Sequence, residues 1–382
     1  MANQNTTQKS LERQIEQIQS LITPFQTLKV LPIPLSQPQC VSHKHEILIC
    51  GSTNEKACYS YHTIKNEYKF ICEYPNNVSL LGYCVVKLVD NNNNKDSNQI
   101  TLLSFGSNER EKDRHSLDES KELNKSNNYN QWVPFTDNHN NPIIIGSDSD
   151  VYKQVCAVIG GRNNNLLFIT YQYHNISVFD LNILQFIKHD DLPINISLSH
   201  HCFVSKSENG QGQEMMKTNK QNCQMLLFCR SIGLSIEYDE DNNTFQFHEL
   251  PVYDEIAQLF VCACVCINDI ILFFGGWSLG YAPNSVHKYS IRENKWMAFE
   301  KTLPSSLRDC TAVLSEDNHI HIIGGSDDEW KPLFTHINAK VCVWDASQLS
   351  ANEMKFIIQY WIRVLKIKLG WIDEFNKIVI NY

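Results

Sequence analysis

An all-β fold made of six repeats is predicted for this 382-residue chain by three features that recur along it. They are short apolar runs, aromatic pairs seven positions apart, and a cysteine ahead of each run. The runs are Ile47–Cys50, Leu102–Phe105, Leu166–Ile169, Leu226–Cys229, Leu272–Phe274 and His321–Ile323. Four or five apolar residues, β-branched or aromatic, read as a buried strand. Gly275-Gly276 and Gly324-Gly325 close the last two runs, where glycine lets the backbone turn with positive φ.

The aromatic pairs are Tyr61/Tyr68, Phe179/Phe186, Tyr238/Phe245 and Tyr289/Trp296. Two antiparallel strands joined by a short turn would carry one ring each. A proline follows the second ring at Pro75, Pro193, Pro251 and Pro304, and Phe135 with Pro142 repeats the spacing. Proline there ends an outer strand and opens the loop to the next repeat.

The cysteines are Cys40, Cys84, Cys156, Cys202, Cys262 and Cys310, at spacings of 44, 72, 46, 60 and 48. The two long spacings hold polar insertions. One has the Asn91–Asn94 turn and the charged stretch Asn108–Tyr129, and the other has Ser205–Asn222. Such segments cannot bury a core and are expected to be flexible loops, open to proteolysis.

A run ending in Gly-Gly, followed by an aromatic and a Trp six residues apart in between, resembles the kelch motif. Gly275, Gly276, Tyr289 and Trp296 of the fifth repeat match it best. The resemblance covers roughly residues 25–345 and implies a β-propeller of four-stranded blades around a channel, in the superfamily of the galactose oxidase central domain. The ring is expected to close through its ends. Trp344 has Ala351 where a partner ring belongs, and Phe25 has Ile18. An N-terminal orphan strand and a C-terminal three-stranded blade would complete one another and remove two open sheet edges. The expected fold is thus a six-bladed kelch-type propeller over residues 25–351, closed by the N-terminal strand. Extensions at 1–24 and 352–382 carry short helices at 8–21 and 353–369, and Lys377–Tyr382 reads as a strand.

Composition bounds the function. Thirty-three basic against 42 acidic residues give a net charge of −9, the wrong sign for a nucleic-acid surface. No apolar run reaches the length of a membrane span, and the first residues show neither a signal peptide nor a myristoylated glycine. Fourteen cysteines without a secretion signal read as reduced thiols of a cytoplasmic protein.

The six repeat cysteines read as small apolar residues where inner strands converge, each at the start of its strand, with a metal or redox ring as the alternative. Cys262, Cys264 and Cys266 lie too far apart on one strand to share a zinc. His43/His45, His200/His201 and His319/His321 lack a matched carboxylate or cysteine at metal-site spacing and read as surface or turn histidines. No nucleophile elbow, phosphate loop or His-Glu-x-x-His occurs. Galactose oxidase copper chemistry needs a Cys–Tyr cofactor and ligands that cannot be placed here. The expectation is no catalytic residue, cofactor or metal.

Function then falls to the face carrying the loops between second and third strands and between repeats. Trp277, Tyr281, Asp327, Asp328, Glu329, Trp330, His200, His201, Arg308 and Asp309 are the candidate partner-binding residues. Trp, Tyr and Arg are the types that dominate interface hot spots. The expected role is a non-catalytic protein-interaction scaffold, the alternative a propeller enzyme acting at the channel mouth. Kelch relatives imply ubiquitin-ligase or cytoskeletal partners by analogy, although no F-box or BTB-like segment is recognisable.

Overall fold

The structure is a computed structural model that describes residues 24–88, 100–106, 130–146, 151–206, 223–278, 280–299, 302–344 and 362, with the backbone of 121–124. The expected helices at 8–21 and 353–369, the strand at 377–382, and most of both insertions lie outside the described residues. Contacts divide the chain into a larger unit, residues 27–337, and a smaller one, residues 1–26 with 338–382.

Almost all described structure is β. The first sheet holds β2 (Cys40–His43), β3 (Glu46–Cys50), β4 (Ala57–His62) and β5 (Glu67–Glu73). The second holds β6 (Tyr83–Leu88), β7 (Thr101–Gly106), β8 (Lys121–Asn124) and β9 (Gln131–Pro134). The third holds β10 (Cys156–Gly160), β11 (Leu166–Tyr171), β12 (Asn175–Asp180) and β13 (Gln185–Asp191). The fourth holds β14 (Cys202–Ser205), β15 (Cys223–Cys229), β16 (Ile232–Asp239) and β17 (Thr244–Glu249). The fifth holds β18 (Ala263–Ile267), β19 (Ile270–Phe274), β20 (Val286–Ser290) and β21 (Lys295–Ala298). Each is an antiparallel meander in chain order. The remaining strands are β1 (Phe25–Thr27), β22 (Arg308–Leu314), β23 (His319–Ser326) and β24 (His336–Lys340), in the order β1-β24-β23-β22.

The boundary between the two units falls inside β1 and inside β24. The larger unit therefore holds five complete four-stranded sheets where the repeat predicts six; its sixth set is cut across two strands. Residues 28–35 nevertheless run along that sixth set within this unit. Leu28 N donates to His336 O at 2.9 Å, Leu31 N to Phe334 O at 3.2 Å and Leu35 N to Leu333 O at 3.1 Å. Leu31 and Leu35 are buried there beside Ile323. The six inner strands β2, β6, β10, β14, β18 and β22 neighbour one another in sequence order, and β22 returns to β2. This is a propeller-like arrangement of sheets.

The apolar runs became the second strands, buried from both faces because neighbouring sheets stack on them. The aromatic pairs became cross-strand pairs between third and fourth strands. Tyr61 is directly opposite Tyr68, Phe179 opposite Phe186, Tyr238 opposite Phe245 and Tyr289 opposite Trp296. Their centroids are 4.9, 5.1, 4.9 and 5.1 Å apart, spacings at which such rings add to plain burial. In the smaller unit Phe25 and Trp344, the two rings without a partner at seven-residue spacing, lie 5.5 Å apart.

The second sheet corrects the sequence reading. Lys121–Asn124 lies within the stretch expected to loop out, yet it is the third strand of that sheet, with Leu123 opposite Trp132. The aromatic on the outer strand is Trp132, not Phe135, which follows β9.

The cysteines are also less uniform than expected. Cys262 precedes β18, Cys84 is the second residue of β6, and Cys310 is the third residue of β22. Cys84, Cys202 and Cys310 are buried, while Cys40, Cys156 and Cys262 are half-buried. What the repeats share is a backbone kink one to three residues ahead of each cysteine. Gln37, Gly82, Gln154, His200, Val261 and Asp309 have φ of 53°, 71°, 62°, 47°, 62° and 55°. Several kinks are bonded to the next one around the ring: Gln154 N to Gly82 O at 2.8 Å, Asp309 N to Val261 O at 3.3 Å, and Gln37 N to Asp309 O at 2.7 Å. Gly82 must be glycine, since a Cβ there would sit 2.3 Å from Gln154 N.

Candidate functional site

The kinks turn the loops before each inner strand onto one face, together with the loops between second and third strands. Two clusters form on that face within the larger unit.

The first gathers eight of the ten candidate residues. Trp277 follows β19, where its N and O bond Phe260 O and N at 2.7 and 3.1 Å. Gly275, at φ 61°, makes that exit possible, because a Cβ would sit 2.0 Å from Leu307 O. Asp327–Trp330 form the tight loop between β23 and β24. Asp327 Oδ1 accepts the Glu329 and Lys331 backbone N–H groups at 3.0 and 2.9 Å, a local turn that Asp favours. Asp328 Oδ1 accepts Ala282 N at 2.7 Å, which ties Tyr281 to this loop.

Beneath lies Arg308, with no exposed surface, although the sequence places it among surface contact residues. Its Cζ is 4.1 Å from the Trp277 ring centroid and 3.2 Å from that of Trp330, close enough for cation–π attraction. Nε donates to Asp327 O at 3.1 Å, and Asp309 Oδ2 lies 3.9 Å away. Asp309 is likewise buried; desolvation pushes its carboxyl above the usual range against the pull of Gln37, whose Nε2 donates to Oδ1 at 2.6 Å. Arg308 and Asp309 thus hold the loops rather than touch a partner. What remains outside is Trp330 at 61% and Tyr281 at 55% exposure, together with the exposed residues Asp328 and Glu329 of the same loop as Trp330.

His200 and His201 belong to a second cluster, between the third and fourth sheets. Neither is a free surface histidine as the sequence suggests. His201 is buried, its Nε2 bonded to Thr170 Oγ1 at 2.7 Å, and burial pushes its imidazole down to about 3. His200 is half-buried against the Gln154 side-chain amide. Burial first, then the charges of Lys153 and Arg230, hold it down to about 4. Sequence reasoning missed Lys153 and Arg230. Beside them a cleft of about 340 Å³ opens, lined by Lys153, Gln154, Gln172, Ser197, Ser199 and Arg230 among others. Of the described residues that line it, none is Asp or Glu.

His321 departs from its surface reading as well. It is buried, with Nδ1 2.9 Å from His336 Nε2, and His336 in turn meets the Tyr68 hydroxyl. Among the described residues no group of three or more His, Cys, Asp or Glu is arranged to hold a metal ion. All fourteen cysteines are free thiols, and burial raises those of Cys40, Cys156, Cys202, Cys262 and Cys310, the last to about 12. That is the opposite of what a reactive thiolate needs. No described helix is long and apolar enough to cross a membrane.

No protein-family model matches the chain, and no curated protein matches it either. Among solved structures it is similar to that of YjhT, with a TM-score of 0.59 and 12% identity over 81% of this chain and 95% of that one. At that identity the likeness carries the fold alone. The chain has a β-propeller fold.

Proposed function

We propose that the chain is a kelch-type propeller scaffold, spanning residues 25–351, that performs no chemistry of its own. It binds a protein partner through the loops between second and third strands and between repeats. The observation that carries this reading is the pair of exposed rings, Trp330 and Tyr281, in two loops joined by the Asp328 Oδ1–Ala282 N bond. Trp and Tyr are types enriched in interface hot spots, and the loops that carry these two are held by Asp328 on Ala282 N and by Arg308 under Trp330. Pre-ordered rings lose little entropy on binding. The reduced, buried thiols fit a cytoplasmic setting, and analogy with kelch proteins points to an adaptor in ubiquitin-ligase or cytoskeletal assemblies.

The test is capture of partners from cell extract by the purified full chain, its Trp330→Ala variant and its Tyr281→Ala variant, followed by affinity measurement on the captured protein. Loss of a hot-spot ring costs about 2 kcal/mol or more, roughly a thirtyfold weaker Kd. Identical capture by all three proteins, or turnover of a small substrate with no stable partner, would contradict the scaffold reading.

A further inference from the structure

The chain carries a net charge of −9, yet one concave region of its loop face is lined by two cations, four neutral polar residues and the apolar Ile196 and Leu198, with no carboxylate among the described residues there. Lys153 and Gln154 reach it from the loop before β10, Gln172 from the loop between β11 and β12, Ser197 and Ser199 from the loop before β14, and Arg230 from the turn between β15 and β16. We propose that this cleft binds a small oxyanion-bearing molecule, with Arg230 and Lys153 pairing the oxyanion and the Gln and Ser side chains holding polar substituents beside it. The site lies apart from the Trp330 surface and does not depend on the scaffold reading.

Three observations support it. First, about 340 Å³ is the size of a small-molecule pocket, and the loops that build it are fixed. Gln154 N is bonded to Gly82 O at 2.8 Å, Leu198 N to Tyr173 O at 2.8 Å, and Tyr173 N to Ser197 Oγ at 3.0 Å. The Ser197 hydroxyl accepts in that bond, so its own proton is available to a ligand.

Second, neither cation is spoken for. Both are exposed, neither forms an ion pair with a carboxylate among the described residues, and Arg230 only rests over the Phe260 ring at 5.5 Å. Both line the same cleft, and both charges are felt by the same half-buried group, His200. A guanidinium offers a planar fork for two oxyanion oxygens, and an ammonium adds a point charge.

Third, the alternatives fit poorly. A metal cation would find no carboxylate there, and an apolar ligand would leave the Gln and Ser groups unpaired. A nucleic acid would meet two cations on a chain whose net charge repels it.

Inorganic phosphate and citrate are the probes, titrated calorimetrically into the full chain at low ionic strength. The first stands for a phosphate ester and the second for a carboxylate ligand. The expected result is binding of at least one, weakened about tenfold or more in Lys153→Gln, Arg230→Gln and unchanged in Asp328→Asn on the other cluster. Gln keeps the side-chain stems, and the melting temperature of the double variant checks that folding is intact. Binding that survives the double substitution would overturn the proposal, as would a wild-type chain that binds neither anion at concentrations of about 10 mM. Tighter phosphate than citrate assigns the phosphate class, and the reverse assigns the carboxylate class.

Discussion

Two clusters share one face of the propeller and differ in almost every physical respect. Around Trp330 the surface is aromatic and largely acidic, and the cation beneath the rings, Arg308, is buried as a support. Around Arg230 the surface is concave, the cations are exposed, and the buried group is His201, whose imidazole burial pushes down to about 3. The backbone frame is the same in both: a positive-φ residue ahead of the inner strand, Asp309 in one and His200 in the other. The repeat fixes the frame, and the loops decide what each position offers. A residue type alone therefore does not say whether it binds or supports. Arg308 supports, while Arg230 faces the solvent.

The largest expected effect tests how each cluster depends on ring closure. Asp309 is held by Gln37, Ser326 Oγ donates to Ser36 Oγ at 2.9 Å, and Gly325 N donates to Leu35 O at 2.8 Å, so the Trp330 cluster leans on residues 35–37, directly after the closing residues 28–31. The Arg230 cluster makes no such contact among the described residues. Deleting residues 1–32 removes the buried Leu31 and two bonds of the closure, a loss on the order of 5 kcal/mol. The truncated chain should melt far below the full one, and Trp fluorescence should change before anion binding at the cleft is lost. An unaltered melt would remove the closure argument.

Next comes pH, where the clusters should respond with opposite sign. His200 and His201 have folded values of about 4 and 3 against about 6.5 unfolded. Both are neutral in either state above that range, so they cost nothing at pH 7. As pH falls from about 6.5 toward 4 the unfolded chain takes up protons that the folded chain refuses, and stability drops by a few kcal/mol. His321 and His336, both held down by burial, act in the same direction. The raised carboxyl of Asp309 does the reverse, since its folded form takes up a proton before the unfolded one and so gains stability on acidification. Replacing His200 and His201 by Asn should flatten the acid limb of a melting-temperature profile, and Asp309→Asn should steepen it. Asn also tolerates the positive φ at both kinks. The same slope in all three proteins would mean that neither cluster is titrating as its burial requires.

The smallest effect is expected where the clusters agree. Cys262, just ahead of β18, and Cys310 on β22 belong to one, Cys156 and Cys202 on β10 and β14 to the other, and burial raises all four thiols. Each Cys→Ala change should cost about 1 kcal/mol, alkylation of the folded chain should be slow at every position, and elemental analysis should find no metal. Metal near one equivalent per chain would contradict the packing account.

Much of this was legible in the sequence, and the failures have physical reasons. Apolar runs and aromatic pairs report burial and cross-strand pairing directly, so second strands and the third–fourth strand pairs could be read from residue type and spacing. Lys121–Asn124 could not, because its Lys-Glu-Leu-Asn sequence carries no alternation, and the pairing with Leu102 and Trp132 supplies what local pattern lacks. Trp330 and Tyr281 were legible as surface aromatics. Arg308 was misread because charge usually means exposure, and only two indoles folding over it reverse that. The cleft was invisible. Lys153 and Arg230 are 77 residues apart (230 − 153) in separate loops, each unremarkable until the third and fourth sheets are set side by side.

The most direct test of the two-cluster account is a crossed measurement on one set of proteins. Partner affinity and phosphate or citrate affinity are determined for the full chain, for Trp330→Ala, and for the Lys153→Gln, Arg230→Gln double variant. The account predicts that the first substitution weakens the partner roughly thirtyfold and leaves the anion alone, and that the double substitution weakens the anion about tenfold or more and leaves the partner alone. Both ligands weakened together by either change would mean a single continuous site, and the division of the face would be wrong.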